Sequence, residues 1–171
     1  MVNINDYIRD IPDFPKPGIL FKDITPLLKD PDAFQETINL MVKKIKKTPC
    51  EAIAGTESRG FIFGAPIALA MGLGFIPIRK PGKLPYRTRS ASYELEYGTD
   101  SIEIHEDALV KGQKVALVDD LLATGGTMAA SCELVESLGA EVSSCTFVIE
   151  LGFLDGRAKL GKYRINSLIT Y

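Results

Sequence analysis

Apolar positions along this chain recur at two alternating periods, and that alternation sets the expected architecture. After Asp30-Pro31, the residues Phe34, Ile38, Met41, Val42 and Ile45 recur at helical spacing. Asp30 suits the cap and Pro31 the first helical position. Lys43, Lys44, Lys46 and Lys47 crowd the last turns, where the helix dipole favours cations, and read as a solvated face. "EAIAGTESRG" predicts a short strand running into a polar loop, "FIFGAPIALAMG" a buried helix and "FIPIRK" a strand. "PGKLPYRTRSASYELEYGTD" is a polar excursion that ends in alternating residues around a turn at Gly98. "SIEIHED" alternates as a strand, and "KVALVDD" reads as a strand buried on both faces. "GTMAASCELVESLGA" carries Met128, Cys132, Val135 and Leu138 on one side and stops at Gly139. "EVSSCTFVIEL" is a further strand. Strands alternating with helices imply βαβ units, hence an α/β fold with a central, mostly parallel sheet flanked by helices.

Residues 1–30 break this regularity. "IPDFPKPGILFKDITPLL" holds four prolines, which exclude a regular helix or a central strand, yet it carries Phe14, Ile19, Leu20 and Phe21. An irregular but apolar segment is expected to cover something. Phe61 to Ile78 lacks charge and approaches the length of a membrane span. Gly64, Pro66, Gly72, Gly74 and Pro77 interrupt it, so a buried helix, a glycine turn and a strand explain it better.

Composition narrows the class. The chain has 171 residues, 46% hydrophobic and 25% charged, which fits one soluble domain spanning 1–171. The net charge of -2 argues against broad nucleic-acid binding. Cys50, Cys132 and Cys145 lie far apart with no paired spacing and read as small core residues in a reducing compartment. The first residues carry Asp6, Arg9 and Asp10 rather than the apolar run of a secretory signal, so a cytoplasmic protein with no membrane partner is expected.

The chemistry concentrates in "VALVDDLLATGGT", Val115 to Thr127. Asp119 and Asp120 end a buried strand, where open α/β sheets bind ligands. Thr124-Gly125-Gly126-Thr127 then opens a helix. Small residues let backbone N–H groups approach an anion, and the helix N-terminus adds partial positive charge. Ala123 to Thr127 therefore predicts a phosphate cradle. It is neither a Walker loop, for want of GxxxxGK[ST], nor a dinucleotide fingerprint, since Pro77 takes the third glycine's place after Gly72 and Gly74. Adjacent carboxylates can accept from the two hydroxyls of a ribose diol, and Mg²⁺ can offset their repulsion. Arg79, Lys80, Lys83, Arg87 and Arg89 form a cation cluster that fits a polyphosphate on an otherwise acidic protein.

The stretch resembles the 5-phosphoribosyl-1-pyrophosphate (PRPP) signature of the type I phosphoribosyltransferases. Within that family the nearest likeness is to the branch that acts on adenine, carried by "IRDIPDFPKPGILFKDITPLLKDP", "GTESRGFIFGAPIALAMG", "IRKPGKLP", "SYELEYGTDSIEIHEDAL" and "VALVDDLLATGGT". The resemblance implies transfer of phosphoribose from PRPP to adenine, giving AMP and diphosphate, with Mg²⁺ and in a homodimer. It implies that Glu57, Ser58, Arg59 and Gly60 form the diphosphate loop, with a cis peptide between Glu57 and Ser58. Arg79, Lys80 and Lys83 would face the diphosphate, while Arg87 and Arg89 are left open between that role and a solvated one. Asp119 and Asp120 would hold the ribose and 123–127 the 5′-phosphate. Residues 80–100 would form a flexible lid, with Glu96 the catalytic acid/base near purine N7 and Tyr97 helping to fold it over. Arg59 would assist catalysis at the leaving group.

Residues 1–30 would be a hood. There Phe21 stacks on adenine, the backbones of Leu20 and Lys22 bond its Watson–Crick edge, and Leu151 packs on the other face. Many family members carry Arg at the position of Lys22; a backbone contact is little changed by that departure. His105, outward beside inward Ile102 and Ile104, reads as a surface residue and supports no Ser-His-Asp triad. The rival readings are a PRPP-binding regulator without catalysis and an enzyme for hypoxanthine, guanine or xanthine.

Overall fold

A computed structural model describes residues 2–94 and 98–171. By compactness the chain divides into two units, Met1–Leu40 and Met41–Tyr171.

The first unit is more regular than its prolines suggest. A 3₁₀ turn at Ile4–Tyr7 precedes β1 (Arg9–Pro12) and β2 (Leu20–Asp23), an antiparallel pair in the register Arg9↔Asp23 to Pro12↔Leu20. The prolines permit this because of where they fall. Pro12 closes β1, Pro15 and Pro17 lie in the connection, where Phe14–Pro15 is cis, and Pro26 starts the short helix α1 (Thr25–Lys29). Arg9 ties the pair to Asp23 at 2.6 Å. Helix α2 (Pro31–Ile45) begins where its cap predicts: Asp30 Oδ1 accepts from the N–H groups of Asp32 at 3.1 Å and Ala33 at 2.9 Å.

The second unit is built on a five-stranded parallel sheet. Its strands are β3 (Ala52–Thr56), β4 (Gly74–Ile78), β7 (Lys114–Leu122), β8 (Glu141–Glu150) and β9 (Ile165–Thr170), in the order β4-β3-β7-β8-β9. Helix α3 (Arg59–Met71) joins β3 to β4 and packs on β3 and β7. Helix α4 (Gly126–Ser137) joins β7 to β8, with Met128, Cys132 and Val135 buried. Gly139 ends that turn at φ +81°. The uncharged stretch that approached a membrane span is thus α3, a left-handed Gly72 and β4. Among the described residues no helix is long and apolar enough to cross a membrane.

β7 is central because its sequence is apolar on both faces. Val115 and Leu117 join the core made with α4, while Ala116 and Val118, pointing the other way, are equally buried. The span expected as a lid is partly regular: β5 (Thr88–Glu94) pairs antiparallel with β6 (Thr99–His105), and Ile102 and Ile104 of β6 enter the core. Glu96 and Tyr97 lie outside the described residues. Cys132 and Cys145 are buried free thiols with sulfurs 3.6 Å apart, and Cys50 is a half-buried one. His105 is half-buried, its Nε2 accepting from the Tyr86 N–H at 3.4 Å. Leu117→Ala is expected to cost about 2–5 kcal/mol, since it empties the middle of the sheet. Exposed Lys43→Ala should stay within about 0.5 kcal/mol. Urea unfolding of both variants checks the difference.

Candidate active site

The parallel strands β3 and β7 run side by side, and Thr56 at the end of β3 comes level with Asp119; β7 itself continues to Leu122, two residues past the end expected from sequence. Thr56 Oγ1 donates to Asp119 Oδ2 at 2.6 Å, and the Asp120 N–H donates to Asp119 Oδ1 at 2.9 Å. Asp120, on the alternate face, pairs with Arg59 Nε at 3.0 Å and keeps only 6% of its side chain exposed. Gly60 makes this convergence possible. A Cβ there would lie 3.0 Å from each of Asp119 Oδ1, Thr56 Oγ1 and the Val118 carbonyl, so the start of α3 approaches the strand ends closely only without one.

The electrostatics of the pair follow from burial. Desolvation first, and then the neighbouring Asp120 charge, push the Asp119 carboxyl up to about 8. Desolvation also raises Asp120, with the Arg59 guanidinium opposing it. Burial thus disfavours charge on both carboxyls, and hydroxyl donors or a cation beside them would favour their ionised forms.

Two cavities share these groups. One, of about 180 Å³, is lined by 119–128 with Arg59 and Phe147. Its wall is the turn from β7 into α4, where Gly125 sits at φ +81° and the first-turn amides point out of the helix unpaired by it. It can take a phosphate. The second cavity, of about 200 Å³, is lined by Glu57, Ser58, Arg59 and Lys80, together with Asp119, Asp120, Thr127 and residues from β3, β5 and β6. The Glu57–Ser58 peptide bond is cis, as the resemblance implies.

The cations around this second cavity arrive already paired. Glu57 accepts from the Lys80 N–H at 2.6 Å and from Arg79 Nε at 3.0 Å. Burial opposes its charge, yet these donors outweigh burial and hold its carboxyl below the usual range. The Lys80 ammonium bonds Asp100 and, at 3.1 Å, the Tyr93 hydroxyl. Desolvation works against that ammonium, but the two partners raise its pKa on balance. Of the expected diphosphate residues, Arg79 is turned to Glu57 and Lys83 is exposed, and neither lines the cavity. Arg89 donates to the Ser137 carbonyl at the end of α4 at 3.2 Å, and Arg87 is exposed. Thr56, Tyr93 and Asp100 were missed from sequence. Thr56 carried the same signal as Asp119, a polar residue at the carboxyl end of a buried strand; Tyr93 and Asp100 carried none.

The expected base contacts lie in both units. In β2, Leu20 and Lys22 are two residues apart, so strand geometry directs their backbone groups to one edge. The Phe21 ring meets Phe14 edge-on at 5.1 Å, and these two with Ile11 and Asp23 line an apolar cavity. Lys22 spends its ammonium on Asp10 at 2.7 Å, with 9% of its side chain exposed. Leu151 follows β8 and is half-buried, its N–H bonded to the Leu122 carbonyl at 2.9 Å.

Residues 24–165 match the family model described as the phosphoribosyl transferase domain. The chain belongs to that family, and its fold is that of a phosphoribosyl transferase. The adenine phosphoribosyltransferase of Caldanaerobacter subterraneus subsp. tengcongensis is 60% identical over 99% of this chain and 98% of its own length. That of Kosmotoga olearia is 55% identical over 99% of this chain and 100% of its own length. The crystal structure of the Thermoanaerobacter pseudethanolicus adenine phosphoribosyltransferase superposes with a TM-score of 0.96 at 60% identity, covering 98% of both chains. Within the family, the chain belongs to the adenine phosphoribosyltransferases.

The raised carboxyl gives a testable sign. Folded Asp119 keeps a proton that the unfolded chain releases above its ordinary value of 3.8, so stability of the unliganded protein should fall as pH rises from there towards about 8. Thermal unfolding across this window should show a shallower slope for Asp119→Asn; coincident slopes would remove Asp119 from that titration.

Proposed function

We propose that the chain transfers the 5-phosphoribosyl group of PRPP to adenine, releasing AMP and diphosphate, with Mg²⁺ bound and as a cytoplasmic homodimer. The carrying observation is the order of the two cavities. An amide-lined phosphate site and a cation-bearing second site share Arg59, Asp119, Asp120 and Thr127. That sequence of anion site, diol acceptors and anion site repeats the sequence of PRPP: 5′-phosphate, ribose hydroxyls, 1-diphosphate.

In this reading 123–127 hold the 5′-phosphate while Asp119 and Asp120 accept from the ribose hydroxyls. The bond from C1′ to the diphosphate oxygen breaks, the electron pair leaving with the diphosphate, and the bond from C1′ to purine N9 forms. Arg59 and Lys80, with Arg79 and Lys83 behind them, neutralise the charge that develops on the leaving group. The base loses a proton in the exchange, and Glu96 receives it near N7. Arg59 thus serves catalysis as well as binding. Tyr97 folds with Glu96 over the ligand, which excludes water from an oxocarbenium-like transition state.

Mg²⁺ fits as a hard cation that takes one or two carboxylates and fills its remaining positions from phosphate oxygens and water. Asp119 and Asp120 are the carboxylates available. Among the described residues no group of three or more His, Cys, Asp or Glu side chains converges as a metal site, so the diphosphate oxygens would supply most of the shell. When bound, the ion supplies charge neutralisation at the diphosphate. Adenine is read by Phe21, Leu151 and the backbone groups of Leu20 and Lys22. A backbone carbonyl accepts from the exocyclic amine; hypoxanthine or guanine would set a carbonyl against it. The homodimer is supported by exposed Ile62 and Leu69, which share one face of α3. Free cysteines agree with a reducing cytoplasm.

The deciding experiment measures AMP formation from PRPP and Mg²⁺ with each purine in turn. Turnover with adenine alone is expected, and none with any base would favour a PRPP-binding regulator. Glu96→Ala should lower kcat at least about a hundredfold, the usual worth of a general acid/base, with AMP affinity little changed. Wild-type turnover in that variant would remove Glu96 from the mechanism.

A further inference from the structure

The phosphate loop is pressed against a second turn that lines neither cavity. A Cβ on Gly156 would fall 2.2 Å from the Ala123 carbonyl oxygen and 3.0 Å from Leu122 Cδ1. In return, a Cβ on Gly125 would fall 2.5 Å from the Gly156 carbonyl oxygen. The obstructing atoms are main-chain carbonyls, so neither contact yields to a rotamer change. Gly125 also needs its left-handed φ, but Gly156 is not in that region. Closeness alone demands glycine at 156.

The direction of this contact bears on the ligand. In a planar trans peptide the C=O of one residue and the N–H of the next point opposite ways. The Ala123 carbonyl is aimed at Gly156, so the Thr124 N–H is aimed away from it, and Thr124 lines the phosphate cavity. Packing on Gly156 thereby selects the peptide orientation that offers a donor rather than an acceptor to an anion.

The turn carrying Gly156 is itself clamped. Gly156 opens α5 (Gly156–Lys159), after Asp155 at φ +49°. Arg157 donates through Nε and Nη2 to the two Glu150 oxygens at 2.5 and 2.7 Å, and Nη2 also reaches Ser167 Oγ at 3.1 Å. Ser167 Oγ donates to Glu150 Oε2 at 2.5 Å. Glu150 ends β8 with 8% of its side chain exposed, and Ser167 lies on β9, so one planar fork fixes α5 to two strands of the sheet. The Arg157 bonds hold the Glu150 carboxyl below its usual range, against burial.

We infer that Gly156 and the Glu150–Arg157 clamp are positioning residues for the 5′-phosphate: they hold the 123–124 peptide so that its N–H faces the ligand. The inference rests on the reading of 123–127 as the phosphate site, and its test keeps the two separable. Ribose 5-phosphate and inorganic diphosphate are titrated calorimetrically, each with Mg²⁺, into wild type, Gly156→Ala and Arg157→Gln. Loss of one amide bond to a charged group predicts at least about a tenfold weaker ribose 5-phosphate affinity in Gly156→Ala. Diphosphate affinity should stay at the wild-type value. In turnover, KM for PRPP should rise by a similar factor with kcat within about threefold, the pattern of binding lost equally from ground and transition states. Arg157→Gln, which keeps the glycine, should shift the same titration in the same direction, and Arg157→Lys should recover part of it.

Wild type that binds no ribose 5-phosphate would overturn the proposed function. Wild type that binds it, with Gly156→Ala equal to it or weakened alike for diphosphate, would overturn the positioning role alone. Should Gly156→Ala fail to fold, Arg157→Gln decides by the same two titrations.

Discussion

Two adjacent carboxylates near the carboxyl end of the central strand are the constraint around which the site is organised. Side-chain alternation sends Asp119 and Asp120 to opposite faces of β7, which relieves their repulsion only in part, and burial raises the cost of charging either. The surroundings offset this with specific donors. Thr56 and the Asp120 amide serve Asp119, and Arg59 serves Asp120. Each donor imposes a condition on the fold. Thr56 must end β3 beside β7, which parallel pairing supplies. Arg59 must start α3 next to the strand ends, which Gly60 permits by lacking a side chain.

The two cavities that share this pair, read as anion sites in the proposed function, use different physics. The first relies on amides at a helix N-terminus, where partial charges are fixed by backbone geometry and cannot be titrated away. The second relies on side chains, and its cations are tethered: Arg79 and the Lys80 amide to Glu57, the Lys80 ammonium to Asp100 and Tyr93. Such pairing offsets the mutual repulsion of cations around one pocket. It also sets the positions of long side chains that would otherwise spend rotamer entropy on binding. In the proposed reading, a rigid cradle for a group that stays attached and a side-chain cluster for a group that leaves suit the two ends of PRPP.

Much of this was legible in the sequence wherever local rules act alone. β7, α4 and the capped start of α2 could be read from apolar periodicity, a helix-opening glycine pair and Asp30-Pro31. That Asp119, Asp120 and 123–127 line one cavity followed, because strand, acids and loop are contiguous. The N-terminal hairpin escaped because four prolines, which exclude a regular helix or a central strand, read as irregular chain, when they fall at a strand end, in the connection and in the first turn of α1. Of β5 only the alternating residues before Gly98 were legible; its start at Thr88 was not, because a polar strand looks like a loop until its partner β6 is known. Tyr93 and Asp100 lie in that hairpin and reach Lys80 only through its folding. The apposition of Gly156 with Ala123 joins residues that no local pattern connects.

The division of labour along the chain explains why sugar phosphate was easier to read than base. In the proposed reading the diol acceptors and the phosphate loop are consecutive residues of one strand, turn and helix, so a single local geometry fixes the spacing between the two groups they would hold. In the proposed reading, adenine is recognised by backbone groups of β2, and backbone recognition leaves no signature in side-chain identity. What selects Leu20 and Lys22 is their separation by two, which places their N–H and C=O groups on one strand edge as a donor–acceptor pair. That arrangement survives exchange of Lys for Arg at 22, but a one-residue slip of the β1–β2 register would turn those groups to the opposite edge. The Arg9–Asp23 and Lys22–Asp10 ion pairs each join register partners, so the charges on this hairpin oppose that slip.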